Sequence, residues 1–234
     1  GFHVGKIANW EQLPCLPDGN RHYAQASNSS LMSPTSPPEQ RDIRPPHPLA
    51  IALIERVNGG TVLELGTGSG RNLRALQAAD LRVTSLDTSD YSRIPAETGS
   101  FEAVISTHGL LHGTSAEISV TLAEVARVLR AGGRLYATFG SKRDARFGIG
   151  ARIEPDTFAP ESGDEAGVPH LFLDEPQVRA LLHNFAIDEL SRTDVDQVAG
   201  DWAHQHNPLS GSVHWFVIAT NRLERSSRSV PSKR

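Results

Sequence analysis

Hydrophobic positions first fall into a regular spacing near Pro48, where Leu49, Ala50, Leu53, Ile54 and Val57 recur at helical intervals and Gly59-Gly60 stops them. Thr61-Val62-Leu63-Glu64-Leu65 then reads as a strand running into the glycine-rich Gly66-Thr67-Gly68-Ser69-Gly70, after which Leu73, Leu76 and Ala79 give a second helical face. A strand over Leu81 to Leu86 ends at Asp87, and another over Phe101 to Ser106 follows the turn-rich Glu97-Thr98-Gly99-Ser100. Both are short and apolar enough for burial in a parallel sheet. The best-marked helix opens on the capping box Thr114-x-x-Glu117, continues through the stripe Ile118, Leu122, Val125 and Leu129, and is expected to stop at Gly132-Gly133. A strand over Leu135 to Phe139 and a polar loop from Gly140 to Leu173 come next. A helix capped by Asp174, with Gln177 three residues on, and strands near Ala186 to Leu190 and Val213 to Ala219 complete the pattern. Strands alternating with helices predict a three-layer α/β/α sandwich around a mostly parallel sheet.

Composition sharpens the ends of this plan. Eight of the fifteen prolines fall within residues 1 to 48, beside Ser-rich stretches such as Ser27-Asn28-Ser29-Ser30. Proline fixes φ and removes a backbone donor, so residues 1–47 are read as an arm outside the sheet. Residues 48–220 form the domain, and residues 221–234, with five basic residues and one acid, a disordered tail. The 234-residue chain has 23 Lys+Arg against 27 Asp+Glu, a formal charge of −4, and 38% hydrophobic residues. It can bury a core, and no apolar run approaches the length of a membrane span. The mild negative balance lacks the basic face of a nucleic-acid binder. The one cysteine, Cys15, cannot form an internal disulfide, and Gly1 to Trp10 lack the pattern of a secretory signal. A cytoplasmic protein is expected, of undetermined oligomeric state.

A strand ending in Glu64-Leu65, followed by Gly66-x-Gly68-x-Gly70 and a helix, is a nucleotide-binding constellation: glycines permit positive φ and close backbone approach, and a helix start offers unbonded N–H groups. A dinucleotide fingerprint would require glycine or alanine three residues after Gly68, where Arg71 stands, which counts against a nicotinamide cofactor. Glu64 beside the loop is badly placed for a pyrophosphate and well suited to a cationic amino-acid group. Asp87, 21 residues beyond Gly66 at a strand end, is placed to accept hydrogen bonds from ribose hydroxyls.

Through Val62 to Gly70, Asp87, Gly99-Ser100-Phe101-Glu102-Ala103-Val104 and Leu129-Arg130-Ala131-Gly132-Gly133-Arg134-Leu135, the chain resembles the class I S-adenosylmethionine-dependent methyltransferases, over roughly residues 48 to 220. The resemblance implies a Rossmann-like methyltransferase fold, S-adenosylmethionine as cofactor and S-adenosylhomocysteine as product. It further implies that Glu64 faces the methionine end, Gly66 to Gly70 wrap it, Asp87 holds the ribose, and Ser106, Thr107 and His108 line the pocket. Leu65, Thr67, Asn72, Thr88 and Asp90 complete the expected cofactor set, Asp90 with Ile94-Pro95 matching the family's adenine-contacting acid. A narrower likeness to compact small-molecule and tellurite-resistance-type methyltransferases runs through Gly70-Arg71-Asn72-Leu73 and Ile105-Ser106-Thr107. One departure stands out: only the thirteen residues Thr88 to Ser100 separate Asp87 from Phe101, too few for the extra helix and strand of the family. The third family strand is therefore expected to be missing or vestigial, leaving six main strands.

Methyl transfer needs a nucleophile in line with the S–CH₃ bond, and a general base only where the acceptor is protonated. His108, His112 and His170 are the catalytic candidates, with hydrogen bonding to loop backbone as the alternative role. The loop Gly140 to Leu173, with Lys142, Arg143, Asp144, Arg146 and Phe147, resembles the substrate-side insertion of small-molecule methyltransferases. No metal site is assigned: His204-x-His206 with His214 lacks a completing carboxylate or cysteine, and Pro208 breaks the segment. Trp10, Tyr23 and Met32 of the arm are candidate lid residues. The expected partner is a small-molecule acceptor, with neither nucleic acid nor membrane, and the alternative function is a non-catalytic S-adenosylmethionine- or nucleotide-binding module.

Overall fold

The computed structural model describes residues 45–68, 70–88, 90–163, 165–195 and 211–222. Helix α1 (Pro48–Arg56) starts where proline needs no N–H donor, and the Nδ1 of His47 caps it by accepting from the Leu49 N–H at 3.0 Å. Burial holds the His47 imidazole well below its ordinary pKa, with Arg71 and His214 adding to the effect, so the ring is neutral. Strand β1 (Thr61–Leu65), helix α2 (Arg71–Ala78), strand β2 (Arg82–Leu86), strand β3 (Phe101–Ser106), helix α3 (Ser115–Val128) and strand β4 (Leu129–Ser141) follow. After them come the short strands β5 (Ala151–Glu154), β6 (Thr157–Ala159) and β7 (His170–Leu173), then helix α4 (Glu175–Leu181) and strands β8 (Phe185–Asp194) and β9 (Val213–Asn221).

The main strand order is β2-β1-β3-β4-β9-β8, with β1 to β4 parallel and β9 antiparallel to both its neighbours. Alternation along each strand sorts side chains to the two faces. Val62, Ala103, Ile105, Tyr136, Phe216 and Ile218 pack with Leu49 and Leu53 of α1 and Leu76 of α2. Leu63, Leu65, Val104, Leu135, Trp215 and Val217 pack with Ile118, Leu122 and Val125 of α3 and Val178 of α4. The result is the expected sandwich, and among the described residues no strand lies between Asp87 and Phe101.

Three expectations are corrected. The segment Leu81–Leu86 is not a buried strand: with no third strand beyond it, β2 is a sheet edge, and Arg82, Thr84 and Ser85 are exposed. Gly132-Gly133 does not stop α3, which ends at Val128. The glycine pair lies inside β4, where the register against β3 shifts between Phe101 and Ala103 and Gly132 takes φ +70°. The polar loop 140–173 holds three strands. β7 runs parallel to the tip of β4 through Gly140↔Phe172 and Ser141↔Leu173, while β6 and β5 add to it antiparallel.

Both predicted helix caps form reciprocally, Thr114 with Glu117 and Asp174 with Gln177. The fold includes Asn221, whose buried amide donates to the carbonyls of Ala126 at 2.8 Å and Leu129 at 3.1 Å. Trp10, Tyr23, Met32, His204, His206 and residues 223–234 lie outside the described residues.

Candidate active site

The carboxyl ends of β1, β2, β3 and β4 converge on one edge of the sheet, where open α/β sheets bind their ligands. Gly66, Gly68 and Gly70 have φ of +75°, +51° and +76°. A Cβ at Gly68 would point into open space, so that position presents bare backbone to whatever occupies the edge. Across the loop, Gly109 allows the chain leaving β3 to lie flat on β1: a Cβ there would come within 2.9 Å of Ser106 Oγ and 3.2 Å of the Leu65 carbonyl oxygen. The glycine loop is tied to β2 by the Gly66 N–H, which donates to the Leu86 carbonyl at 3.0 Å.

Glu64 is 1% exposed, on the α1/α2 side of β1, and neither carboxylate oxygen has a hydrogen-bond partner of ordinary geometry among the described residues. Burial pushes its pKa up to about 7, against the pull of Asn72 and Arg71 and with Asp87 adding to the rise. A buried carboxylate without a donor is costly and marks a place where a cation or donor is missing. Arg71, 8% exposed, is the nearby positive charge. Asp87 is exposed at the end of β2, and no described side chain bonds its carboxylate. Asp90, three residues on, accepts the Ser92 N–H at 2.7 Å, a bond that lowers its pKa, and its own N–H donates to Thr88 Oγ1 at 3.2 Å. These residues fit a zwitterionic, ribose-bearing ligand: an anion and a cation at the buried end, an open loop, and an acid at the next strand end.

Beyond the loop lies a small pocket. His108, His112 and His170 all line it, together with Arg146, Phe172 and His214. The His108 ring lies 5.6 Å from that of His214. Arg146 donates to both oxygens of Asp144, at 2.8 and 2.7 Å, and Asp144 also accepts the Val213 N–H at 2.8 Å. Burial alone would raise the Asp144 pKa, but the bonds from Arg146 and Val213 hold it below the usual carboxylate range. This anchors the start of β9 and aims one guanidinium at the pocket. On the opposite wall, Glu165 meets His112 Nε2 at 3.5 Å and His170 Nε2 at 3.1 Å, and those two imidazoles hold its carboxyl well below the usual range.

Residues 88–137 match the family described as a methyltransferase domain, from the end of β2 through most of β4. The chain has the fold of the class I S-adenosylmethionine-dependent methyltransferases. Its fold recurs in a S-adenosylmethionine-dependent methyltransferase of Methanosarcina mazei, at 19% identity over 77% of this chain and 100% of that one, with a TM-score of 0.54. It recurs in the 1,6-didemethyltoxoflavin-N1-methyltransferase of Burkholderia thailandensis, solved with 1,6-didemethyltoxoflavin and S-adenosylhomocysteine, at 17% identity over 74% and 76%, TM-score 0.55. A putative methyltransferase of Haloferax volcanii, solved in complex with the Trm112 methyltransferase activator, matches at 17% identity over 75% and 89%, TM-score 0.53. A sequence search of the curated proteins found no match. Among the described residues no helix is long and apolar enough to cross a membrane.

Within this fold several expected contact residues are committed to structure. Leu65 is wholly buried in the core. Ser106 Oγ donates to the Leu65 carbonyl at 3.1 Å, and Asn72 bridges the His47 N–H at 2.8 Å and Thr107 Oγ1 at 3.2 Å. These three hold β1, β3 and α1 together beneath the site. Thr67 Oγ1, buried beside the loop, has no hydrogen-bond partner among the described residues. The sequence reading missed Arg71 as a site cation and Glu165 as the partner of two histidines. Arg71 was legible in its place after Gly70, whereas Glu165 reaches His112 only because β7 folds back along β4.

Proposed function

We propose that the chain transfers a methyl group from S-adenosylmethionine to a small-molecule acceptor by in-line displacement. The observation that carries this reading is Glu64, a buried carboxylate beside an open glycine loop whose oxygens meet no well-formed hydrogen bond among the described residues, Asn72 being the nearby amide, so that a methionine ammonium would complete it. When bound, the cofactor supplies an electrophilic sulfonium methyl. Glu64 takes the ammonium, Arg71 the carboxylate and Asp87 the ribose hydroxyls, so that the methyl is directed toward the pocket beyond β3 and β4. Thr67, Gly66, Gly68 and Gly70 offer backbone and one hydroxyl along the cofactor. Asp90 is bonded to Thr88 and Ser92.

On the acceptor side, His108 leaves β3 beside Gly109 and is the residue best placed to accept a proton from the nucleophile. Arg146, its charge paired with Asp144, lines the pocket as a hydrogen-bonding wall. Most of the barrier reduction comes from holding acceptor and methyl in line, of order 7–11 kcal/mol for a well-oriented pair.

Calorimetry with S-adenosylmethionine, followed by mass spectrometry of a metabolite extract incubated with methyl-labelled cofactor, tests the reading. A label appearing in one or a few small molecules supports it. Cofactor binding with no labelled product across a broad acceptor panel would favour the non-catalytic module, and no cofactor binding would remove the proposal altogether.

A further inference from the structure

The acceptor wall holds a set of side chains that the proposed methyl transfer leaves unexplained. His112 and His170 form an isolated antiparallel bridge, reinforced by the Gly113 N–H donating to the Pro169 carbonyl at 2.8 Å. This brings their rings to 4.7 Å between centroids at an interplanar angle of 78°. Glu165 sits in a turn closed by the Val168 N–H bonding its carbonyl at 3.0 Å, and its two carboxylate oxygens point one to each imidazole. The three donor atoms lie within 4.8 Å of one another.

The tautomer of His170 is fixed by its surroundings. Its Nδ1 lies 2.8 Å from the Val168 carbonyl oxygen, which can only accept, so Nδ1 carries a hydrogen. In the neutral ring Nε2 then bears the lone pair, and that lone pair faces a carboxylate oxygen 3.1 Å away. Nε2 and the carboxylate are held face to face by backbone, so the pair is completed by a cation between them, either a proton on Nε2 or a metal ion. The backbone carbonyl behind the ring is also the outer support that metal-binding imidazoles commonly have. Ligand atoms bound at about 2.0–2.2 Å to one tetrahedral or octahedral ion stand roughly 2.8–3.6 Å apart, which the two carboxylate–imidazole separations of 3.1 and 3.5 Å meet through different carboxylate oxygens, and binding one ion would draw the three donors in from their present spread of up to 4.8 Å.

We propose that His112, Glu165 and His170 bind one divalent transition-metal ion, and that this ion holds the acceptor heteroatom in the pocket. Two imidazole nitrogens and one carboxylate suit zinc, iron, manganese, cobalt or nickel and are wrong for magnesium or calcium, which take oxygen ligands. Three protein ligands leave coordination positions open, and the same three residues line the pocket with His108 and Arg146. The acceptor class is therefore a group X–H, with X oxygen, nitrogen or sulfur, acidified on the metal. The X–H bond breaks, its proton passing to His108 and then solvent. The lone pair of X forms the bond to the methyl carbon, and the breaking S–C bond leaves its electron pair on sulfur. The acceptor role rests on the methyltransferase reading above, but metal binding itself does not.

The test uses full-length protein stripped with a chelator and titrated with Zn²⁺ by calorimetry and with Co²⁺ by visible absorption, S-adenosylmethionine affinity being measured in parallel. One ion per chain is expected, with ligand-field bands of a nitrogen- and oxygen-ligated Co²⁺. Glu165→Gln, at a half-exposed position that leaves folding intact, and His170→Ala should each weaken metal binding by at least about a hundredfold. His183→Ala, at an exposed histidine on the chain after α4, should leave it unchanged. Unaltered cofactor affinity in the stripped protein and in Glu165→Gln separates this site from the cofactor site. No uptake of either ion, or uptake that survives both Glu165→Gln and His170→Ala, would overturn the proposal even if methyl transfer is observed.

Discussion

Replacing Glu64 by glutamine probes the cofactor site at its most strained charge. Burial raises the Glu64 pKa from 4.5 to about 7, so the folded apo domain prefers the protonated acid. The sign follows directly. The folded state binds the proton more tightly than the unfolded chain, so this contribution to stability is full below pH 4.5, is lost as pH rises through about 7, and stays lost above. A shift of this size corresponds to about 3 kcal/mol. The ammonium of the cofactor reverses the preference by stabilising the carboxylate, so binding below pH 7 must expel a proton. From pH 7 to pH 6 the dissociation constant should weaken about fivefold, a window chosen because the cofactor's own amino group, with a pKa of about 7.7–8.0, stays protonated there. Glu64→Gln should flatten that response, weaken binding at pH 7 by about 2 kcal/mol, roughly thirtyfold, and remove the pH-dependent loss of apo stability. Calorimetry in buffers of different ionisation enthalpy reads the expelled proton, and urea unfolding between pH 5 and pH 8 reads the stability. A glutamine variant with wild-type affinity and an unchanged pH slope would refute the placement of the ammonium at Glu64.

The other predictions concern neighbouring parts of the same machine. Asp87→Ala, leaving ribose hydroxyls unpaired, should weaken S-adenosylmethionine binding by about 1–3 kcal/mol in calorimetry; an unchanged dissociation constant would remove Asp87 from the site. Gly68→Val places a branched side chain in the open space over the loop and should abolish binding while circular dichroism still shows a folded chain, with thermal unfolding lowered by the roughly 1–3 kcal/mol that a β-branched residue costs at φ +51°. Asp144→Ala leaves Arg146 and the Val213 N–H without their buried anion and should destabilise the fold by about 3 kcal/mol. A urea midpoint that does not move would show that the start of β9 is held elsewhere.

The central layers were legible because each element carried its own start and stop. The caps at Thr114 and Asp174 and the alternation Val62/Leu63 are local facts, and local facts survive folding. What escaped depended on neighbours. The segment Arg82–Leu86 is apolar enough for a buried strand, yet its exposure is decided by an absent strand beyond it. The hairpin β5–β6 was hidden because Ala151–Glu154 is largely exposed, with Ile153 at 50%, and has no hydrophobic alternation to betray it. The glycine loop and its acids could be read in order along one stretch of chain. The grouping of His112, Glu165 and His170 could not, since it is made by a strand pairing between distant segments.

Without a further strand and helix beside β2, the covered backbone near Ile94, Ala96 and Gly99 needs partners, because buried peptide groups must be bonded somewhere. Helix α3 supplies them. Glu124 accepts the Ile94 N–H at 2.9 Å, and Arg127 donates to the carbonyls of Ile94 at 2.9 Å and Ala96 at 2.8 Å. The Arg127 carbonyl takes the Gly99 N–H at 2.9 Å, and Arg127 and Glu124 hold each other at 2.7 Å. One ion pair on a helix thus does the work of a strand's hydrogen-bond ladder. The short connection also draws Tyr91 under the loop, within 3.7 Å of a Cβ built at Gly66, so the cofactor edge is closed by a folded-back turn in place of a further βα unit. In that turn Asp90 is bonded to Ser92, which leaves Asp87 as the acid available to a ribose.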